Sequence, residues 1–250
     1  MDEADVRQKA RVFIAKVDVS GIRADLTPYV VAANAKVKKD ELGEGESGYT
    51  ITKPNGKHVI TVNSLETDER QRFTICHEIA HIVLDLESSH EEVPSWSYAK
   101  RHSNEIACDT FAAELLMPYQ QWLSLVPKEE PSLELIQHMA DLFGTSFPAA
   151  ASRFASLSDM PCAFVTMERG AVRYGARSTS LRQAGAWISP KSVIPVGSVA
   201  HRLRSAGISA AETDEVPVVP QSPRGRDGQR GGAAADRPRP PTCHSVQEID

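Results

Sequence analysis

One stretch of this chain can do its chemistry only as a helix. From Thr67 to about Leu86, the apolar residues Phe73, Cys76, Ala80, Val83 and Leu84 recur at helical spacing, and Thr67 or Asp68 stands ready to cap the start. Inside that stretch lies His77-Glu78-Ile79-Ala80-His81. Residues four apart share a helical face, so both imidazoles can aim at one metal ion. Zinc takes such nitrogen ligands at about 2.0–2.1 Å. Glu78 is rotated off the pair but stays beside it, where a carboxylate can accept a proton from water. A pattern this short arises by accident roughly 0.02 times in a chain of this size and composition. The competing reading is two histidines and a glutamate on a wet helix face, and the residues downstream weigh against it.

A catalytic zinc takes three protein ligands and keeps another position open. A second helix is predicted over about Asn104–Met117, ended by Pro118, which cannot continue the hydrogen-bond ladder. On it, Glu105 and Asp109 stand four apart and share a face. Glu105 can ligate the metal while Asp109 accepts the outer N–H of a ligating histidine and fixes its tautomer. Glu114 competes for the third-ligand role but points about 180° away around the helix. The aspartate one turn on favours Glu105. Tyr98 and His102, just before this helix, are candidates for stabilising an oxyanion, against a plain surface reading.

Arg72-Phe73-Thr74 running into His77–His81, then Glu105-x-x-x-Asp109-x-Phe111-Ala112-Ala113-Glu114-Leu115-Leu116-Met117-Pro118, resembles the ImmA/IrrE family of metallo-endopeptidases. A strand ending Val59-Ile60-Thr61-Val62-Asn63 also sits where that family has one before its zinc helix, and the likeness covers about residues 47–157. The resemblance implies an α+β, zincin-like fold with Zn2+ held by His77, His81 and Glu105, and with Glu78 activating water. It also implies a protein substrate, a helix–turn–helix repressor of the Xre type, in a regulatory circuit of the stress, mobile-element or toxin–antitoxin kind. Cys108 and Asp109 depart from the alanine and asparagine common there; neither removes a metal ligand, and a carboxylate is the stronger acceptor for an imidazole N–H. The alternative is a regulatory protein that binds or sequesters a repressor without cleaving it, a role that has no need of Glu78.

Around this core the chain reads as three parts: a metallopeptidase domain over residues 1–158, a small β-containing region over 159–209 and an unstructured tail over 210–250. Val6, Ala10, Phe13, Ile14 and Val17 mark an N-terminal helix, and Pro28 the start of another. The runs Tyr49–Thr52 and His58–Asn63 flank Asn55-Gly56, a strong hairpin signal, giving a small antiparallel sheet whose His58–Asn63 strand could take an extended substrate by strand addition. A second hairpin is expected around Arg169-Gly170, with a short helix near Val199–Leu203. Six of the 16 prolines fall after Ala210, a composition that cannot offset its ordering entropy.

The pair of helices at 133–157, turning at Gly144, has the outline of a DNA-reading motif. Its second helix, however, offers a single arginine among alanines, too little for base or phosphate contacts. With a net charge of −5 the chain has no global electrostatic case for nucleic acid either. No run suits a membrane span, Met1–Arg11 is too charged for a signal peptide, and the four cysteines form no C-x-x-C pair. Reduced thiols, a cytoplasmic location and no membrane partner are the expectation.

Overall fold

The computed structural model describes residues 1–17, 19, 21–22, 25–87, 102–126, 132–206, 216–217, 242–243 and 245–248. They form two compact units, residues 1–130 with 134–150, and residues 131–133 with 151–250. The division falls inside a helix (Phe147–Leu157), whose second half groups with the residues that follow it. No helix among the described residues is long and apolar enough to cross a membrane.

The first unit opens with α1 (Glu3–Ala15) and α2 (Thr27–Ala32), the latter with proline in its first turn. Strands β1 (Ala35–Asp40), β2 (Gly48–Thr52) and β3 (His58–Asn63) follow, then helices α3 (Asp68–Leu84), α4 (Ser103–Leu116), α5 (Tyr119–Leu125) and α6 (Leu133–Phe143). The β2–β3 hairpin turns at Gly56, whose φ of 73° suits a residue without a side chain. The sheet order is β1-β3-β2, with β2 antiparallel and β1 parallel to β3.

Two expectations are corrected here. The sheet is mixed rather than antiparallel, because Ala35–Asp40 pairs with the free side of β3. That leaves β3 in the middle with both edges occupied, so it has no edge to offer a substrate. Among the described residues, the open edges belong to β1 and β2. They differ in kind: β1 carries Lys36, Lys38 and Lys39, the charges that blunt an edge against pairing with other chains. By contrast, Gly48-Tyr49-Thr50-Ile51-Thr52 is uncharged and Ile51 is exposed.

Helix α3 is capped by Thr67, whose side chain accepts from Arg70 N–H, and it lies between the sheet and α4. Ile60 and Val62 on β3, Cys76, Ile79 and Ala80 on α3, and Phe111, Ala112 and Leu115 on α4 are all buried. From α1, Phe13 sets its ring against Phe111 (centroids 5.9 Å apart) and Tyr29 (6.0 Å). Also from α1, Arg11 reaches the fully buried Glu114 on α4 at 3.0 Å and lies over the Tyr119 ring. The carboxylate that competed for the third-ligand role therefore faces α1.

The second unit contains most of α7 (Phe147–Leu157), strands β4 (Ala163–Glu168) and β5 (Ala171–Arg177), and helices α8 (Thr179–Gln183) and α9 (Val199–Ala206). The β4–β5 hairpin turns through Arg169 and Gly170, with φ of 50° and 82°, as a two-residue hairpin requires. Arg153, the one arginine of α7, is buried, which removes it from any part in reading nucleic acid.

Short strands β6 (Val216–Pro217), β7 (Thr242–Cys243) and β8 (Ser245–Glu248) lie within 210–250. β4 has β5 on one side only, and β8, free of proline and glycine, pairs in parallel with the other. The remainder of that segment lies outside the described residues. Cys76, Cys108 and Cys162 are buried free thiols.

Candidate metal centre

His77 and His81 project from adjacent turns of α3 with ring centroids 4.9 Å apart in an edge-to-face arrangement. Each ring is pinned through Nδ1. His77 Nδ1 lies 2.9 Å from Asp109 Oδ1 on α4, and His81 Nδ1 lies 2.9 Å from the carbonyl oxygen of Leu86. Both partners accept hydrogen bonds, so both rings carry their proton on Nδ1 and turn Nε2 toward a common point.

The Leu86 carbonyl reaches His81 because α3 ends in a left-handed residue. Asp85 has φ 53° and ψ 50°, and Leu86 N–H turns back to the His81 carbonyl at 3.1 Å. This is the Schellman closure of a helix end, here made at the foot of a histidine.

Glu105 supplies the third group. Its Oε2 lies 3.1 Å from His77 Nε2, and its Oε1 lies 3.6 Å from His81 Nε2. The ligand atoms of His77, His81 and Glu105 all fall within 4.8 Å of one another. Two imidazole nitrogens and a carboxylate oxygen, converging with their outer atoms already bonded, are a donor set that fits a divalent metal ion.

Electrostatics agree with that fit. Burial pushes the His77 imidazolium down, but the hydrogen bonds to Asp109 and Glu105, helped by the charge of Glu78, outweigh it and lift His77 to about 9. For His81 burial again lowers, while the Cys108 sulfur, Glu105 and the Leu86 carbonyl raise it to about 10. A site this rich in negative partners holds protons until a metal cation takes their place. Burial pushes the neighbouring Cys76 thiol up to about 12, and it raises Cys108 as well, against the pull of His81.

Glu78 is buried beside the cluster, and Thr50 Oγ1 on β2 donates to its Oε2 at 2.7 Å. The structure thus brings together five of the residues singled out in the sequence: His77, Glu78, His81, Glu105 and Asp109. His102 stands at the start of α4. It is exposed and caps α4, its Nδ1 accepting from Asn104 N–H at 3.3 Å, which accounts for that ring as a helix-end device. Tyr98 lies outside the described residues. Sequence reasoning missed Thr50 and the Leu86 carbonyl. Thr50 lies 28 residues before Glu78, and only the hairpin register against α3 connects them.

Asp109→Ala removes the carboxylate that orients His77 while sparing all three ligands. Metal affinity should fall about 10–100-fold, the usual range for such an outer partner. Competition against a chromophoric chelator reads this directly, and unchanged affinity would show that Asp109 does not orient the ring.

Residues 32–155 match the family described as the IrrE N-terminal-like domain. The chain is 30% identical over 151 residues to the radiation response metalloprotease IrrE of Deinococcus deserti, an alignment covering 56% of this chain and 53% of that protein. It therefore spans about half the length of that curated relative. A solved structure described as a Mycobacterium tuberculosis transcriptional regulator matches 69% of this chain and 55% of its own, with 14% identity and a TM-score of 0.49. Through residues 32–155, which carry every member of the cluster and its supports, the chain belongs to the ImmA/IrrE family of metallopeptidases.

Proposed function

We propose that this chain is a zinc-dependent endopeptidase that cleaves a helix–turn–helix repressor of the Xre type in a regulatory circuit. The observation that carries the reading is the convergence of His77 Nε2, His81 Nε2 and Glu105 with a buried carboxylate, Glu78, beside them and not among them. When bound, zinc supplies Lewis acidity toward a peptide carbonyl and makes water easier to deprotonate. His77, His81 and Glu105 hold the ion. Glu78 takes the proton from the attacking water and delivers it to the leaving amine. Asp109 and the Leu86 carbonyl keep the two rings from turning.

The uncharged outer edge of β2, with Ile51 exposed, is the place for an extended substrate segment, which would add to the sheet as a fourth strand. Strand addition reads main chain more than side chains. It suits a loop or unfolded segment of the repressor. The three free buried thiols fit a reducing cytoplasm.

The deciding experiment is incubation of the zinc-loaded protein with candidate repressors, with products read by mass. Cleavage at a defined bond supports the reading. Stable binding without cleavage replaces it with sequestration.

A further inference from the structure

We infer that Thr50 is the positioning residue of Glu78, brought to it by the close approach of β2 to α3 that Gly48 permits. The catalytic meaning of this inference rests on the peptidase reading above; the contact itself does not. Alternate residues of β2 face the same side, so Gly48 and Thr50 both turn toward α3. Two residues of strand advance about 6.6–6.8 Å and four residues of helix about 6 Å, so the two elements stay in step. Gly48 meets Thr74, and Thr50 meets Glu78 four residues on. A Cβ built at Gly48 would lie 2.6 Å from Thr74 Cγ2 and 2.6 Å from the Thr61 carbonyl oxygen. A larger residue at 48 would force a shift against the β3 backbone and Thr74 together, disturbing the strand that carries Thr50.

The hydroxyl at 2.7 Å holds one carboxylate oxygen of Glu78. A glutamate has three rotatable side-chain bonds, and a donor at its end selects one arrangement from several. With Oε2 held by Thr50, Oε1 is left to exchange the proton. The threonine side chain is β-branched and stiff at its first torsion, which makes its hydroxyl a firm anchor. It also lies on the strand whose outer edge would receive substrate, so the segment that binds is the one that sets the base.

Two substitutions in the full-length chain separate positioning from packing. Thr50→Val keeps the shape and removes the donor; Thr50→Ser keeps the donor. With fluorescein-labelled casein as probe, Thr50→Val should lower kcat about 10–100-fold with KM unchanged, as outer-shell losses do. Thr50→Ser should restore most of it, and zinc content should match wild type in both. Independently, in the metal-free chain, denaturant midpoints of Thr50→Val, Glu78→Ala, which removes the acceptor, and the double variant form a cycle. The hydrogen bond requires the double variant to lose less than the sum of the two single losses. Additive losses, or a Thr50→Ser as impaired as Thr50→Val, overturn the inference. Failure of the wild type to cleave both casein and the candidate repressors counts against the peptidase reading alone, and the cycle then decides whether Thr50 holds Glu78.

Discussion

Glu78→Gln should give a folded chain that loads zinc like wild type and hydrolyses its substrate about 10²–10⁴-fold more slowly, the range expected for loss of a general base. The substitution is nearly isosteric. Its side-chain carbonyl can still accept from Thr50 Oγ1, so the 2.7 Å contact that holds the group in place is retained in kind. What disappears is the ability to take a proton. No metal ligand is lost, because the cluster consists of His77, His81 and Glu105. Elemental analysis and a rate measurement on the same sample check both halves. In cells, a Glu78→Gln variant that relieves repression as fully as wild type would mean that proteolysis is not how the protein acts.

His81→Ala should abolish most metal binding, where wild type should carry about one divalent ion per chain, as a single three-ligand site implies. Undiminished metal in that variant would place the site elsewhere. The same histidines impose a pH signature on the metal-free chain. Their pairings raise His77 from 6.5 to about 9 and His81 from 6.5 to about 10. A folded-state value above the unfolded one means that the native chain binds more protons between them. The stability they contribute is therefore complete below about pH 6.5 and lost as pH rises through about 9 to 10. Thermal melts of the metal-free chain should fall across that window, while zinc loading near neutral pH should release protons into the buffer. A melt that rose with alkaline pH would contradict the assigned partners.

Much of the centre could be read before the fold was known, for a physical reason. His77, Glu78, His81, Glu105 and Asp109 lie on two helices, where spacing in sequence translates directly into direction in space. The same rule turned Glu114 away, and it faces Arg11 on α1. Information that depended on pairing between distant segments was not legible. Ala35–Asp40 has one valine among lysines and shows no apolar alternation; only the free edge of β3 makes it a strand. The hairpin was clear from Asn55-Gly56, yet its sequence could not say that β3 would be covered on both sides and β2 left open. The pairing of Ser245–Glu248 with β4 is of the same kind. His102 caps α4, a local role that its place just before that helix allowed.

The link from α1 to α4 bears on where this protein ends as a folding unit. The family match begins at residue 32, after α1, yet Phe13 and Arg11 are built into the back of the helix that presents Glu105. A chain trimmed to the matched residues would keep every metal ligand. It would also uncover the Phe111 ring and take away the guanidinium that the fully buried Glu114 faces. Glu114 is fully buried while Arg11 is 39% exposed, so trimming removes one of the groups that offset the cost of burying that carboxylate, and the trimmed chain should be less stable. The boundary drawn by kinship and the boundary drawn by folding are thus different lines on this chain, and α1 is the piece that lies between them.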